Sequence, residues 1–192
     1  MVSKSVDRNV SNDLKLTIQP AQIEDIKVIS SVLAKSFYDF PEFAHWIYPI
    51  LQFTINEDLR YRLRSHSRSH SPRYACLAAK LARPDSQDII VGTAEIALRS
   101  TSFWQNQPKH PYISNLAVKQ EYRRLGIGSQ LLNKCEQIAL DWGYHETRLH
   151  VLDCNNSAKQ LYCCNGYQIL PKELNWGMWF DCSSRLLLTK KI

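Results

Sequence analysis

The run Tyr122-Arg123-Arg124-Leu125-Gly126-Ile127-Gly128-Ser129 holds the residues best suited to gripping an anion. It follows an apolar, strand-like stretch, Tyr112 to Val118, and precedes an amphipathic, helix-like stretch, Gln130 to Trp142. Glycines at a strand-to-helix turn let the backbone come close to a ligand. The start of a helix presents N–H groups without internal partners, and its dipole favours negative charge. Arg123 and Arg124 add positive charge, so the turn reads as a pyrophosphate cradle. Its spacing, Arg-x-x-Gly-x-Gly, is neither the Gly-x-x-x-x-Gly-Lys-Ser/Thr loop nor Gly-x-Gly-x-x-Gly. A plain strand-to-helix turn is the bland alternative.

A second block lies downstream, Leu149-His150-Val151 followed by Asn155, Ala158, Leu161, Tyr162, Gly166 and Tyr167. These last six fall in the register Asn-x-x-Ala-x-x-Leu-Tyr-x-x-x-Gly-Phe/Tyr. In order and separation the two blocks together resemble the GNAT superfamily of N-acetyltransferases, closely from about Ile89 to Tyr167. The resemblance implies acetyl-coenzyme A as co-substrate and no metal. It implies a cofactor site made of Leu116, Ala117, Val118, Arg123, Arg124, Leu125, Gly126, Ile127, Gly128, Ser129, Asn155, Ala158 and Tyr162. The amide of Leu116 is the expected donor to the thioester carbonyl, and a donor aimed at a developing oxyanion is worth roughly 3 kcal/mol.

Transfer from a thioester to an amine needs a neutral amine, a polarised carbonyl and a proton donor for the leaving thiolate. By resemblance Tyr162 is the general acid; the alternative is a core tyrosine on a short helix. Reaching the neutral amine at pH 7 costs about 4–5 kcal/mol for lysine but only about 1 for an α-amine. A base that titrates near neutrality therefore suits an α-amine, and His150 is such a group. Leu149-His150-Val151 and Tyr112-Ile113-Ser114 resemble the strands of protein N-terminal acetyltransferases in which a tyrosine and a histidine share the base role. A hydrogen-bonded strand histidine is the alternative for His150. Glu95 is a further base candidate, with a solvated strand carboxylate as its alternative. The acceptor is expected between Tyr38, Phe40 and Pro41 on one side and Trp176 and Trp179 on the other.

The expected acceptor is a protein N-terminal α-amine or a lysine side chain. A small amine such as an arylalkylamine is the rival substrate, and a non-catalytic acyl-coenzyme A sensor is the rival class. The long connection from Pro41 to Arg73 departs from compact N-terminal transferases.

A chain of 192 residues with 44% hydrophobic residues can bury a real core and is read as one domain, residues 14–192, behind a flexible tail, 1–13. The net charge of +6 suits an anionic ligand such as coenzyme A. The basic run from Arg60 to His70 matches no nucleic-acid motif and is read as a solvated helix end, so no nucleic-acid partner is expected. No apolar stretch is long enough for a membrane span and no secretory leader is visible. The six cysteines lack metal-ligand spacing, and we read them as reduced thiols in a cytoplasmic protein that is a monomer or homodimer.

The elements that must position these groups follow from periodicity. Strands are predicted at Leu14–Ile18, Arg73–Leu81, Ile89–Arg99, Tyr112–Lys119, Thr147–Leu152, Tyr167–Leu170 and Arg185–Lys190. Helices are predicted at 21–37, 52–65, 124–142 and 155–164. Ser100 to His110 reads as a loop. The expected architecture is an α/β (α+β mixed) GNAT fold. It has a mostly antiparallel central sheet of six or seven strands, about four flanking helices, and a bulged fourth strand splayed from the fifth.

Overall fold

A computed structural model of the protein describes residues 15–37, 48–68, 73–83, 86–100, 108–170 and 185–192. Its strands are β1 (Leu16–Pro20), β2 (Tyr74–Arg83), β3 (Ser86–Arg99), β4 (His110–Val118), β5 (Glu146–Leu152), β6 (Gln168–Ile169) and β7 (Arg185–Lys191). They form one sheet in the order β1-β2-β3-β4-β5-β7-β6. Every neighbouring pair is antiparallel except β4 and β5, which are parallel. The helices are α1 (Ile26–Phe37), α2 (Tyr48–Arg68), α3 (Ile127–Asp141) and α4 (Asn156–Cys164).

Side chains alternate across a strand, so β2 feeds two cores. Tyr74, Cys76 and Ala78 pack under α1 and α2 with Ile29, Leu33 and Leu59. Leu77, Ala79 and Leu81 pack on the other face with Leu131, Leu132 and Cys135 of α3. The helices supply matching stripes. Ile26, Ile29, Val32 and Leu33 of α1 are buried at helical spacing, as are Ile127, Leu131, Leu132, Cys135 and Ala139 of α3. No helix among the described residues is long and apolar enough to cross a membrane.

Several boundaries differ from the sequence reading, and three of them bear on the site. Helix α2 begins at Tyr48 and runs to Arg68, beyond the predicted 52–65. Pro49 sits in its first turn, where proline's missing N–H costs nothing, so it does not break the helix. Helix α3 begins at Ile127 rather than 124 because Arg124 (φ 65°) and Gly126 (φ 76°) are left-handed. It ends where expected, with Gly143 at φ 82° just past Trp142. His110, read as loop, opens β4 opposite Arg99.

Candidate active site

The turn from β4 into α3 passes through two left-handed residues and then releases the helix. The bond from the Gln130 N–H to the Gly126 carbonyl, 3.1 Å, is the first rung of the helical ladder. The amides of Ile127, Gly128 and Ser129 precede that rung, at the positive end of the helix dipole. They border a cleft of about 450 Å³. Leu116, Ala117, Val118, Arg123, Arg124, Gly126, Ile127, Gly128, Ser129, Asn155 and Ala158, all from the cofactor set of the sequence reading, line it together. Its lining combines the basic and polar Arg123, Arg124 and Ser129 with the strand residues Leu116 to Val118, which fits a diphosphate attached to a long, uncharged arm. Gly128 closes the floor: a Cβ there would meet Leu161 of α4 at 3.1 Å.

Both cradle arginines are partly engaged. The Nε of Arg123 donates to the Val118 carbonyl (3.0 Å), and Nη1 of Arg124 reaches Oε1 of Gln160 (3.4 Å). Asn155 caps α4, its Oδ1 accepting from the Ala158 N–H at 3.0 Å, so its Nδ2 is the group left to donate. Leu125 and Tyr162 do not line this cleft; Leu125 is 64% exposed.

Gly126 sets up the first test. A side chain there meets nothing within 4 Å, so a substitution acts through backbone strain rather than crowding. A β-branched residue at φ 76° costs about 1–2 kcal/mol. Gly126→Val is expected to weaken coenzyme A binding about tenfold in calorimetry as the turn resets. An unaltered dissociation constant would contradict the cradle.

At the far end of the cleft, β4 bulges. Thr93 pairs with Ala117 and Glu95 with Ser114, so Asn115 and Leu116 together oppose Ala94. Asn115 adopts φ 52°, a conformation that asparagine tolerates better than most residues. Strands β4 and β5 pair only through Tyr112–Arg148 and Ile113–Leu149 and then part. The bulge therefore sits in the mouth of the opening, beside Leu116.

Two tyrosines and a histidine gather near this opening. The Tyr112 hydroxyl lies 2.9 Å from Nδ1 of His150. Burial, helped by Arg185, lowers the His150 pKa below the usual histidine range, which favours the neutral ring near pH 7. Burial raises the Tyr112 pKa, against the pull of Arg99, the bond to His150 and Arg185, so the phenol keeps its proton. Tyr162 is 8% exposed on α4, and its ring meets Tyr167 edge-on at 6.0 Å. Burial, with a smaller push from Tyr112, raises the Tyr162 pKa to about 12.

Glu95 is not the solvated carboxylate that was its alternative reading. It is 1% exposed, accepting from Nδ2 of Asn115 (2.7 Å) and from Nη1 of Arg62 (2.9 Å). Arg62 also binds Asp58 one turn back on α2. A chain of polar contacts thus ties α2 to the bulge. The charged residue inside the apolar run from Val91 to Ala97 was the visible signal for it; the partner, 33 residues away, had none.

The cleft also takes in Leu161, part of the downstream register, and residues the sequence reading did not assign to the cofactor, among them Phe37 at the end of α1, Gln160 of α4 and Asn165 just past it. The helical spacing from Ala158 could have found Asn165. Asn165 donates to Ser129 Oγ at 3.0 Å, which locks the end of α4 to the start of α3. Tyr38, Phe40, Pro41, Trp176 and Trp179 lie outside the described residues.

The chain is similar to several known proteins. The thialysine N-epsilon-acetyltransferase of Bos taurus is 35% identical over 116 residues, 59% of this chain and 67% of that protein. GCN5-related N-acetyltransferase 10, chloroplastic, of Arabidopsis thaliana is 25% identical over 177 residues, 88% of this chain and 68% of that protein. The solved PaiA N-acetyltransferase of Thermoplasma acidophilum, in complex with coenzyme A, shares the fold with a TM-score of 0.65 at 22% identity, covering 93% of this chain and 99% of that one. The model of the Acetyltransferase (GNAT) family matches residues 37–167. A match across that much of the chain fixes the family: this is a GNAT acetyltransferase, an acyltransferase that depends on acetyl-coenzyme A.

Proposed function

We propose that the protein acetylates a primary amine by direct attack within a ternary complex, with a protein N-terminal α-amine as first choice and a lysine side chain next. The observation that carries this reading is the 2.9 Å contact between the Tyr112 hydroxyl and His150 Nδ1 beside the β4–β5 opening. The diphosphate rests on the amides of Ile127 to Ser129, and the acyl group lies at the bulge, where the Leu116 amide polarises its carbonyl. The amine nitrogen bonds to the acyl carbon and the carbon–sulfur bond breaks. One amine proton passes to the Tyr112 oxygen, directly or through a water, as the Tyr112 proton moves to Nδ1 of His150. Tyr162 donates to the departing thiolate. A neutral histidine suffices for an α-amine, whose deprotonation costs about 1 kcal/mol at pH 7.

Residues 14–192 act as a single transferase domain in this reading; the sheet that runs from Leu16 to Lys191 supports it. Cys76, Cys135, Cys154, Cys163 and Cys164 are free thiols, which suits a reducing compartment such as the cytoplasm, while the name of the Arabidopsis relative keeps a plastid in view. The name of the bovine relative favours a second reading, a small amino-bearing molecule as acceptor. Isotopically labelled acetyl-coenzyme A, offered with a proteome digest and free amines, tests both. Mass spectrometry is expected to find label on peptide N-termini. Label only on free amines would move the assignment to the second reading, and binding without any labelled product would leave a sensor.

Glu95 takes a positioning role here, holding Asn115 and so the bulge. Glu95→Gln is expected to lower kcat several-fold while the low-pH limb of the rate profile stays in place. Loss of that limb would make Glu95 the base instead. Arg62→Ala, which leaves Glu95 buried without its cation, is expected to cost about 3 kcal/mol and roughly 10 °C in Tm, read by thermal melting. A melting point within a degree or two of wild type would show that the ion pair does not hold the bulge.

A further inference from the structure

The charges around the Tyr112–His150 pair point to the kind of acceptor it serves. On β3, Ala97 stands opposite Tyr112, so Arg99 lies diagonally across from it on the same face. Its guanidinium carbon is 5.4 Å from the centre of the Tyr112 ring. On the other side, Leu187 of β7 stands opposite His150, and Arg185, opposite Leu152, lies two residues further along the same face. The pair is thus bracketed by an arginine from each flanking strand.

These two arginines differ from others of the site. Arg62 is bound by Asp58 and Glu95, and Arg148 by Glu146. Neither Arg99 nor Arg185 has a carboxylate within ion-pair distance among the described residues. Neither lines the cleft in which the coenzyme A diphosphate is placed, so the cofactor's phosphates do not explain them. Two guanidinium groups with no carboxylate partner among the described residues, beside the proposed point of proton transfer, repel an acceptor that carries only positive charge. They attract one with an anion next to its amine, and a carboxylate can engage an arginine through two parallel hydrogen bonds.

We propose that the acceptor carries a carboxylate close to its reacting amine, and that Arg99 and Arg185 bind that carboxylate and so select the substrate. This rests on the amine-acetylation reading above and narrows it. The carboxylate belongs either to an acidic side chain beside a peptide N-terminus or to a free amino acid.

The test uses the intact protein, acetyl-coenzyme A and matched acceptors. One pair is a peptide with Asp at its second position and the same peptide with Asn; the other is an amino acid and its amide. In at least one pair kcat/KM is expected to favour the carboxylate member about tenfold or more at low salt, with the preference shrinking as salt is raised. Arg185→Glu is expected to abolish or invert that preference, and Arg185→Gln to leave an intermediate one. The peptide and small-molecule pairs distinguish the two sources of the carboxylate. Equal rates within both pairs, or a preference that survives Arg185→Glu, would overturn the inference and leave amine acetylation standing. Acetylation of none of these acceptors, nor of any amine in the labelled mixture, would remove both.

Discussion

Tyr162→Phe lowers turnover by tens-fold or more and leaves the affinity for coenzyme A near the wild-type value. Burial holds the Tyr162 pKa at about 12, well above that of a free thiol at ~8.5. Full transfer of its proton to the thiolate is therefore uphill in the resting site. In the proposed mechanism the phenol supplies a hydrogen bond that strengthens as charge grows on sulfur, a bond that exists only on the way to products. Phenylalanine keeps the edge-on packing against Tyr167 and loses only the donor. Because the phenol stays protonated throughout the working range, the loss is expected to be the same from pH 6 to 9. Steady-state kinetics and calorimetry on the one variant check both halves. An unchanged kcat removes Tyr162 from the reaction.

His150→Ala is expected to lower kcat/KM about a hundredfold at neutral pH and to flatten its rise on the acid side. The sign follows from the proton inventory. The imidazole must be neutral to accept a proton, so the rate falls as pH drops through its pKa. Burial and Arg185 push that pKa down, so with His150 as base the enzyme is expected to stay active to lower pH than an ordinary histidine would allow. The acceptor amine contributes its own limb at higher pH, and that limb survives in the variant. Tyr112→Phe interrupts the same relay, so the double variant is expected to lose little more than either single one. A profile for His150→Ala that matches the wild type, or fully additive losses, would break the pairing of these residues.

The residues proposed to grip the cofactor were legible because glycine spacing and a downstream asparagine–tyrosine register are local patterns. Gly126 and Gly128 marked the cradle, and Tyr112 and His150 were matched to one base function before any distance between them was known. The order of strands and helices followed from periodicity for the same reason. What stayed hidden depends on backbone conformation or on distant pairing. No residue type places the bulge at Asn115, which adopts φ 52° and donates its side-chain amide to Glu95 across on β3. The left-handed turn at Arg124 delayed helix α3 by three residues, and α2 starts at Tyr48, with Pro49 in its first turn, rather than at the predicted 52. The brackets of charge around His150 come from β3 and β7, strands far apart in sequence that the sheet order sets on either side of β4 and β5.

All of these expectations assume where the cofactor lies. The most direct test is a crystal structure of the protein with coenzyme A or a non-hydrolysable acetyl analogue. The diphosphate is expected within hydrogen-bond distance of the Ile127, Gly128 and Ser129 amides, with the acyl end between β4 and β5 at Leu116, in reach of Tyr162. Density for the diphosphate elsewhere on the protein, or an arm that bypasses the bulge, would contradict the placement.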